Sequence, residues 1–96
     1  MVTLDLWFRR KFEKVSIEQY DDITVVQNDG ANDGAAVLLK VKGDSTNDLT
    51  FGSNFQSLDG STFDNTKMNH IYMIYDADGD GTDPKVFYSI KTTDLP

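Results

Sequence analysis

The residues best placed to do chemistry are the aspartates of DADGDGTD, residues 76 to 83. Carboxylates at alternate positions followed by a glycine open the calcium loop of helix-loop-helix proteins. The twelfth position of such a loop must be a bidentate Glu, and here it is Phe87, so that kind of site is excluded. A β-hairpin can still bind calcium through four carboxylates, those of Asp76, Asp78, Asp80 and Asp83. The alternative is a plain polar turn, because Asp and Gly form hairpin tips without a metal.

The rest of the chain offers few groups for catalysis. It has one histidine, His70, and no cysteine. An activated serine needs a base that is oriented by a carboxylate, and no G-x-S-x-G elbow presents a serine on a sharp turn. Glycoside hydrolysis needs one acid in an apolar pocket, whereas the aspartates here lie in turn sequences. We therefore expect a protein that is not an enzyme, with no catalytic residues and no cofactor apart from the calcium alternative.

A basic cluster beside a tryptophan predicts a contact surface near the N-terminus. Residues 1–14 carry four basic and two acidic side chains, whereas the rest of the chain carries five basic and fourteen acidic ones. Such a separation of charge favours docking on an acidic partner. The predicted interface residues are Trp7, Arg9, Arg10 and Lys11. The alternative is a solvated basic face with Trp7 in the core.

Apolar residues alternate along most of the chain with the two-residue period of half-buried strands. The predicted strands are residues 2–8, 14–20, 23–28, 35–43, 70–76 and 85–92. In AAVLLKVKG, residues 35–43, we expect Val37, Leu39 and Val41 to point inward and Lys40 and Lys42 outward.

Turn sequences set the expected pairing of these strands. Residues 49–65 have short apolar alternations around Asp59 and Gly60, which predicts a hairpin with its tip at that pair. HIYMIYD and KVFYSIKT, residues 70–76 and 85–92, should pair antiparallel across the acidic loop.

The acid composition also predicts a turn-rich fold. Fourteen of the sixteen acids are Asp, which favours turns, and only two are Glu, which favours helices. Seven to eight short strands separated by turns predict an all-β fold, either a small antiparallel β-sandwich or a jelly-roll-like barrel. A chain of 96 residues without a break in composition is expected to form a single domain, residues 1–96, with residues 1–14 as its basic N-terminal strand or arm.

Charge and hydropathy exclude several partners. A net charge of −7 argues against nucleic acid and anionic membranes, which attract clustered Lys and Arg. Without cysteine there is neither a disulfide framework nor a thiolate metal site. No apolar segment reaches the length of a signal peptide or a membrane span. We expect synthesis in a cytoplasm.

From residue 23 to residue 96, the order of motifs resembles the C-terminal-type β-sandwich module of tailed-phage fibre and virion-surface (decoration) proteins. The motifs are VLLKVKGD, LTFGSNF, LDGSTF, TKMNHI, IYMIYD and VFYSI. The resemblance implies a structural or adhesive part of a virus particle, commonly a trimer, without catalysis. Two features differ from the module: no long fibre shaft accompanies it, and the loop DADGDGTDP is more acidic than the short hairpin usual at that place.

These observations predict a non-enzymatic virion structural protein, either a capsid decoration protein or a short head or tail fibre subunit. Its partners would be its own copies, as a homotrimer, and a capsid or tail protein. The alternative is a carbohydrate-binding or receptor-binding adhesion module, assisted by calcium at the acidic loop. A third class is an acidic inhibitor or antitoxin-like protein that binds a basic host protein.

Overall fold

The chain folds into strands. A computed structural model describes residues 2–6, 13–18, 23–27, 36–79, 81 and 83–96, the first three ranges by their backbone alone. The strands are β1 (Val2–Leu6), β2 (Glu13–Glu18), β3 (Ile23–Gln27), β4 (Ala36–Lys42), β5 (Leu49–Phe51), β6 (Phe55–Ser57), β7 (Met68–Asp76) and β8 (Lys85–Thr93). In these ranges there is no helix long and apolar enough to cross a membrane. The expected all-β class is confirmed.

The strands form two sheets, with the orders β1-β3-β5 and β2-β4-β7-β8-β6. From β1 to β6 the chain alternates between the sheets, so strands two apart in sequence become neighbours, except β4 and β6, which β7 and β8 separate. Three such pairs run parallel, namely β1 with β3, β3 with β5 and β2 with β4. β7 pairs antiparallel with both β4 and β8, as expected for the β7–β8 hairpin.

The expectation of purely antiparallel strands is therefore wrong, and the larger sheet is mixed. A connection that leaves a sheet, crosses the other sheet and returns brings its strands back in the same direction. Consecutive strands from β1 to β6 therefore lie in different sheets and are not hairpin partners.

The core lies on one face of the five-stranded sheet, where alternate residues are buried. Val37, Leu39 and Val41 are buried as predicted, while Lys40 is half-buried and Lys42 exposed. The other buried apolar residues are Ile71, Met73 and Tyr75 of β7, Val86 and Ile90 of β8, and Leu49 of β5. Leu49 belongs to the smaller sheet, so β5 packs against the core of the larger one.

Residues 49–65 do not form the predicted hairpin. β5 pairs with β3, and β6 pairs in parallel with β8. The turn at Asp59 and Gly60 does exist, with Gly60 at φ 75°. It bonds to β8 instead of reversing onto a partner strand, because Asp59 Oδ2 accepts hydrogen bonds from Ser89 Oγ (2.7 Å) and Lys91 Nζ (3.0 Å).

A buried asparagine holds the turn that leads into β7. Asn69 is fully buried, and its Oδ1 accepts the Asp64 amide at 2.9 Å. Its Nδ2 donates to the carbonyls of Asp64 (2.8 Å), Lys67 (3.0 Å) and Val41 (3.3 Å). Both N–H groups of Nδ2, shared among three carbonyls, and one lone pair of Oδ1 thus join β4, β7 and the 64–67 turn.

The same turn packs closely on the end of β4. The amide of Gly43 donates to the Lys67 carbonyl at 2.9 Å, and the amide of Ser45 donates to the Asn65 carbonyl at 2.8 Å. A Cβ atom at position 43 would overlap the backbone of Asn65, so only glycine fits there.

Candidate functional site

The acidic loop between β7 and β8 is organised by its own backbone. Asp76 ends β7, and its Oδ1 accepts the amides of Asp78 (2.9 Å) and Gly79 (3.1 Å). The amide of Gly81 donates to the Asp78 carbonyl at 2.7 Å, and Gly79 and Gly81 have φ values of 51° and 95°. The first carboxylate of the predicted calcium set therefore caps the loop.

In the part of the chain that the structure describes, no three acidic or histidine side chains are grouped as a metal site requires. Of the four predicted ligands, Asp76, Asp78 and Asp83 are described, and Asp80 lies outside the described residues. The calcium site stays a prediction.

The predicted interface residues Trp7, Arg9, Arg10 and Lys11 all lie outside the described residues. The structure places strand β1 before them and β2 after them.

His70 lies on β7 between two lysines. Its Nε2 is 3.1 Å from the Thr93 hydroxyl, and the register places it opposite Lys40 on β4 and Lys91 on β8. Its cross-strand neighbours are therefore lysines, and its Nε2 contacts a hydroxyl, whereas a histidine that acts as a catalytic base is oriented by a carboxylate.

A surface that the sequence analysis did not identify lies on the side of the five-stranded sheet that faces away from the core. Two cross-strand rows of this surface are largely apolar: Ala36, Ile74 and Phe87 in one, and Leu38, Tyr72 and Ser89 in the next. We call these rows, together with Leu58, the outer face. Leu58 is 65% exposed, Tyr72 49% and Ile74 43%.

A groove of about 240 Å³ crosses the outer face. Its walls include Leu58, Tyr72, Ile74 and Phe87, with Ser89 as a polar member. Contiguous exposed apolar surface on a small domain marks a place where another molecule binds. The sequence did contain a signal for this surface. A strand with one face exposed to solvent needs apolar residues only at every second position, whereas β4, β7 and β8 carry apolar residues on both of their faces.

The outer face is bordered by charges of opposite sign. On one side lies the row of Lys40, His70 and Lys91, which we call the basic row. On the other side β7 ends at Asp76, opposite Lys85, and continues into the acidic loop with Asp78 exposed.

Asp59 sits at the corner of the basic row and is held by several donors. Besides Ser89 and Lys91, it accepts the amide of Ser61 at 3.0 Å and the Ser61 hydroxyl. These bonds, that of the Ser61 hydroxyl above all, hold the pKa of Asp59 well below its usual range. The Ser61 hydroxyl in turn accepts the Ile90 amide of β8 at 2.8 Å, so the turn is fixed to the strand.

Two polar depressions lie away from the outer face. One, of about 410 Å³, is lined by Thr46, Asp48, Thr62, Phe63, Asp64 and Asn65. The other, of about 370 Å³, is lined by Ser53, Asn54, Asp83, Pro84 and Lys85. Both are open, and the first combines an aromatic ring with carboxylates, hydroxyls and an amide.

Comparison with known proteins identifies no relative. No family model matches the chain, no curated protein matches it, and no solved structure matches it.

Proposed function

We propose that this protein is a non-enzymatic structural component of a virion, a capsid decoration protein or a short head or tail fibre subunit, that works through protein-protein contact. The observation that carries the proposal is the outer face, where Leu58, Tyr72 and Ile74 are exposed side by side. Burial of such apolar surface drives most protein association. A protein that acts by binding in this way needs no catalytic groups. The resemblance of residues 23–96 to phage fibre and virion-surface modules supports the virion as the setting.

The proposal includes a two-layer arrangement. We infer that the three-stranded and five-stranded sheets stack as a sandwich, which the presence of Leu49 of β5 in the core of the larger sheet supports. In this arrangement the core separates the two sheets, and the outer face remains available for contacts on the particle surface.

The test is the protein composition of purified particles. Quantitative mass spectrometry should find this chain in a fixed ratio to a capsid or tail protein, and particles from a strain that lacks the gene should lack it and be less stable to heat or low salt. Absence of the chain from washed particles would refute the proposal.

A second candidate is a carbohydrate-binding or receptor-binding adhesion module, with or without calcium. The depression around Phe63 favours it, because sugars bind through an aromatic ring together with carboxylate and amide groups, and Asp64 and Asn65 lie beside that ring. A glycan array separates the two functions. Selective binding that Phe63→Ala abolishes would support adhesion, whereas a decoration protein gives no selective signal.

A further inference from the structure

The charges around the outer face are arranged so that the surface complements itself. Along β7 the outward residues run from His70 through Tyr72 and Ile74 to Asp76. The face is therefore basic at one end, apolar in the middle and acidic at the other end, over a length of about 20 Å at the usual rise of a strand.

We propose that the outer face binds the outer face of a second copy of this chain, with two-fold symmetry and with the two β7 strands antiparallel. This arrangement rests on the proposed function, because it names the surface through which the protein makes contact. A two-fold interface uses the same patch on both copies, which requires a patch that complements itself after rotation.

The register determines which residues meet. If the two-fold axis passes between the rows of Tyr72 and Ile74, Tyr72 lies across from the partner's Ile74, and His70 lies across from the partner's Asp76. Face-to-face sheets pack about 10 Å apart, a gap that side chains of this size fill. The groove beside Leu58 and Phe87 then closes over apolar atoms of the partner.

The remaining charges fit the same arrangement. Lys40, next to His70, lies near the acidic end of the partner. Lys91 lies near the partner's Lys85, and the ion pair of Lys91 with Asp59 of its own chain, at 3.0 Å, offsets the repulsion between the two lysines.

The opposite orientation is disfavoured by charge. If like ends met, the basic rows of both copies would face each other, with His70 against the partner's His70 and Lys40 against the partner's Lys91. With a net charge of −7, two copies repel each other in most orientations, so a contact that matches opposite charges is favoured over others. The resemblance to phage modules implies three copies, whereas a face with two complementary ends favours two.

The mass in solution tests the surface. Sedimentation of the full chain at tens of micromolar should give twice the chain mass, and Ile74→Lys or Tyr72→Lys should give the monomer with an unchanged circular dichroism spectrum. Thr62→Lys adds the same charge at an exposed position outside the outer face and should leave the dimer intact. A monomeric or trimeric wild-type protein, or an Ile74→Lys variant that stays dimeric, would overturn the proposal.

Cross-linking tests the orientation, since the chain has no cysteine of its own. A mixture of His70→Cys and Asp78→Cys chains should be joined by a bismaleimide with a reach on the order of the sheet spacing. His70→Cys alone should not cross-link, because two such residues lie about 20 Å apart along the strands. Efficient linkage of His70→Cys to itself would mean that like ends meet and would refute the antiparallel arrangement. Neither result depends on the presence of the protein in virions, so this inference and the proposed function can fail separately.

Discussion

Asn69 is the residue on which the internal hydrogen bonding of this fold depends most. The Nδ2 group of its side chain donates to three backbone carbonyls, and its Oδ1 accepts one backbone amide. The whole side chain is buried. Asn69→Asp keeps the size but replaces the donating NH₂ with an oxygen that faces those carbonyls. We expect the free energy of unfolding to fall by about 2–4 kcal/mol, since a buried group loses its partners and gains a charge.

Urea denaturation followed by circular dichroism measures this loss. Gln56→Glu makes the same amide-to-acid change at an exposed position of β6 and should cost less than about 0.5 kcal/mol. Equal midpoints for the two variants would contradict the role assigned to Asn69.

Position 43 requires glycine because the fold leaves no space there for a Cβ atom. We expect Gly43→Ala to lower the free energy of unfolding by about 2–3 kcal/mol, because its Cβ would overlap the backbone of Asn65 and the turn must move. Gly60→Ala is the matched control: nothing lies near its Cβ, and only the positive φ opposes it, at about 1–2 kcal/mol. Thermal melts of both variants should rank Gly43→Ala as the less stable.

Asp59 makes the stability of the fold depend on pH in the acidic range. Because the folded pKa of Asp59 is depressed, its bonds to Ser61, Ser89 and Lys91 stabilise the fold at pH values above about 4, the ordinary range of Asp, and this contribution is lost as the pH falls further toward the folded pKa. Asp64 and Asp94 also have lowered pKa values, through bonds to Thr66 and Lys67 respectively.

Asp59→Asn should therefore reduce stability at pH 7 and flatten its decline below pH 4. Melting temperatures between pH 2 and 7 measure the slope, with Asp78→Asn, an exposed aspartate of the other loop, as the control. A slope unchanged by Asp59→Asn would show that other carboxylates set the acid limit.

At the scale of elements, the alternation of residues identified the strands but not their partners. β4, β7 and β8 lie within a residue or two of the predicted ranges, and the burial of Val37, Leu39 and Val41 follows from period two alone. The pairing of the strands does not follow from this alternation, because it depends on the path of the chain after each turn. Gly60 adopts the expected turn, yet the flanking residues bond to β8, which arrives thirty residues later.

The acidic loop is the element where the calcium prediction can be tested. If Asp76, Asp78, Asp80 and Asp83 bind calcium, millimolar calcium raises the melting temperature, and Asp80→Asn removes that rise. Magnesium at the same concentration controls for ionic strength, since it prefers a smaller octahedral shell. An identical melting temperature with and without calcium leaves the loop as a polar turn capped by Asp76.

At the scale of the whole molecule, the sequence predicted a small acidic β protein, and the candidate surfaces were only partly predictable. The acidic loop was visible as a motif because its four aspartates lie within eight consecutive residues. The outer face was not, because it takes Ala36, Leu58, Tyr72 and Phe87 from four segments and exists only once the strands are placed in order.

If the protein is a virion component, as proposed, the basic N-terminal cluster makes a prediction for its binding to the particle. Arg9→Glu with Arg10→Glu should weaken binding to particles that lack the protein, and the loss should shrink at high salt, where charges are screened. Lys67→Glu with Ser53→Glu and Thr62→Glu changes the net charge equally at positions outside the outer face, and should bind nearly as wild type. Equal binding by both variants in a co-sedimentation assay would assign the cluster to a solvated face.

The position of β8 bears on how the chain is made. β8 lies between β7 and β6, and it supplies Val86 and Ile90 to the core. Consider a nascent chain that has emerged from the ribosome only as far as residue 84. Its β6 has no strand to pair with, and Ile71 and Met73 lack part of their packing. Folding of this sheet must therefore wait until residues 85–93 have been made, and a chain truncated before residue 85 should be degraded by proteases rather than persist as a shortened protein.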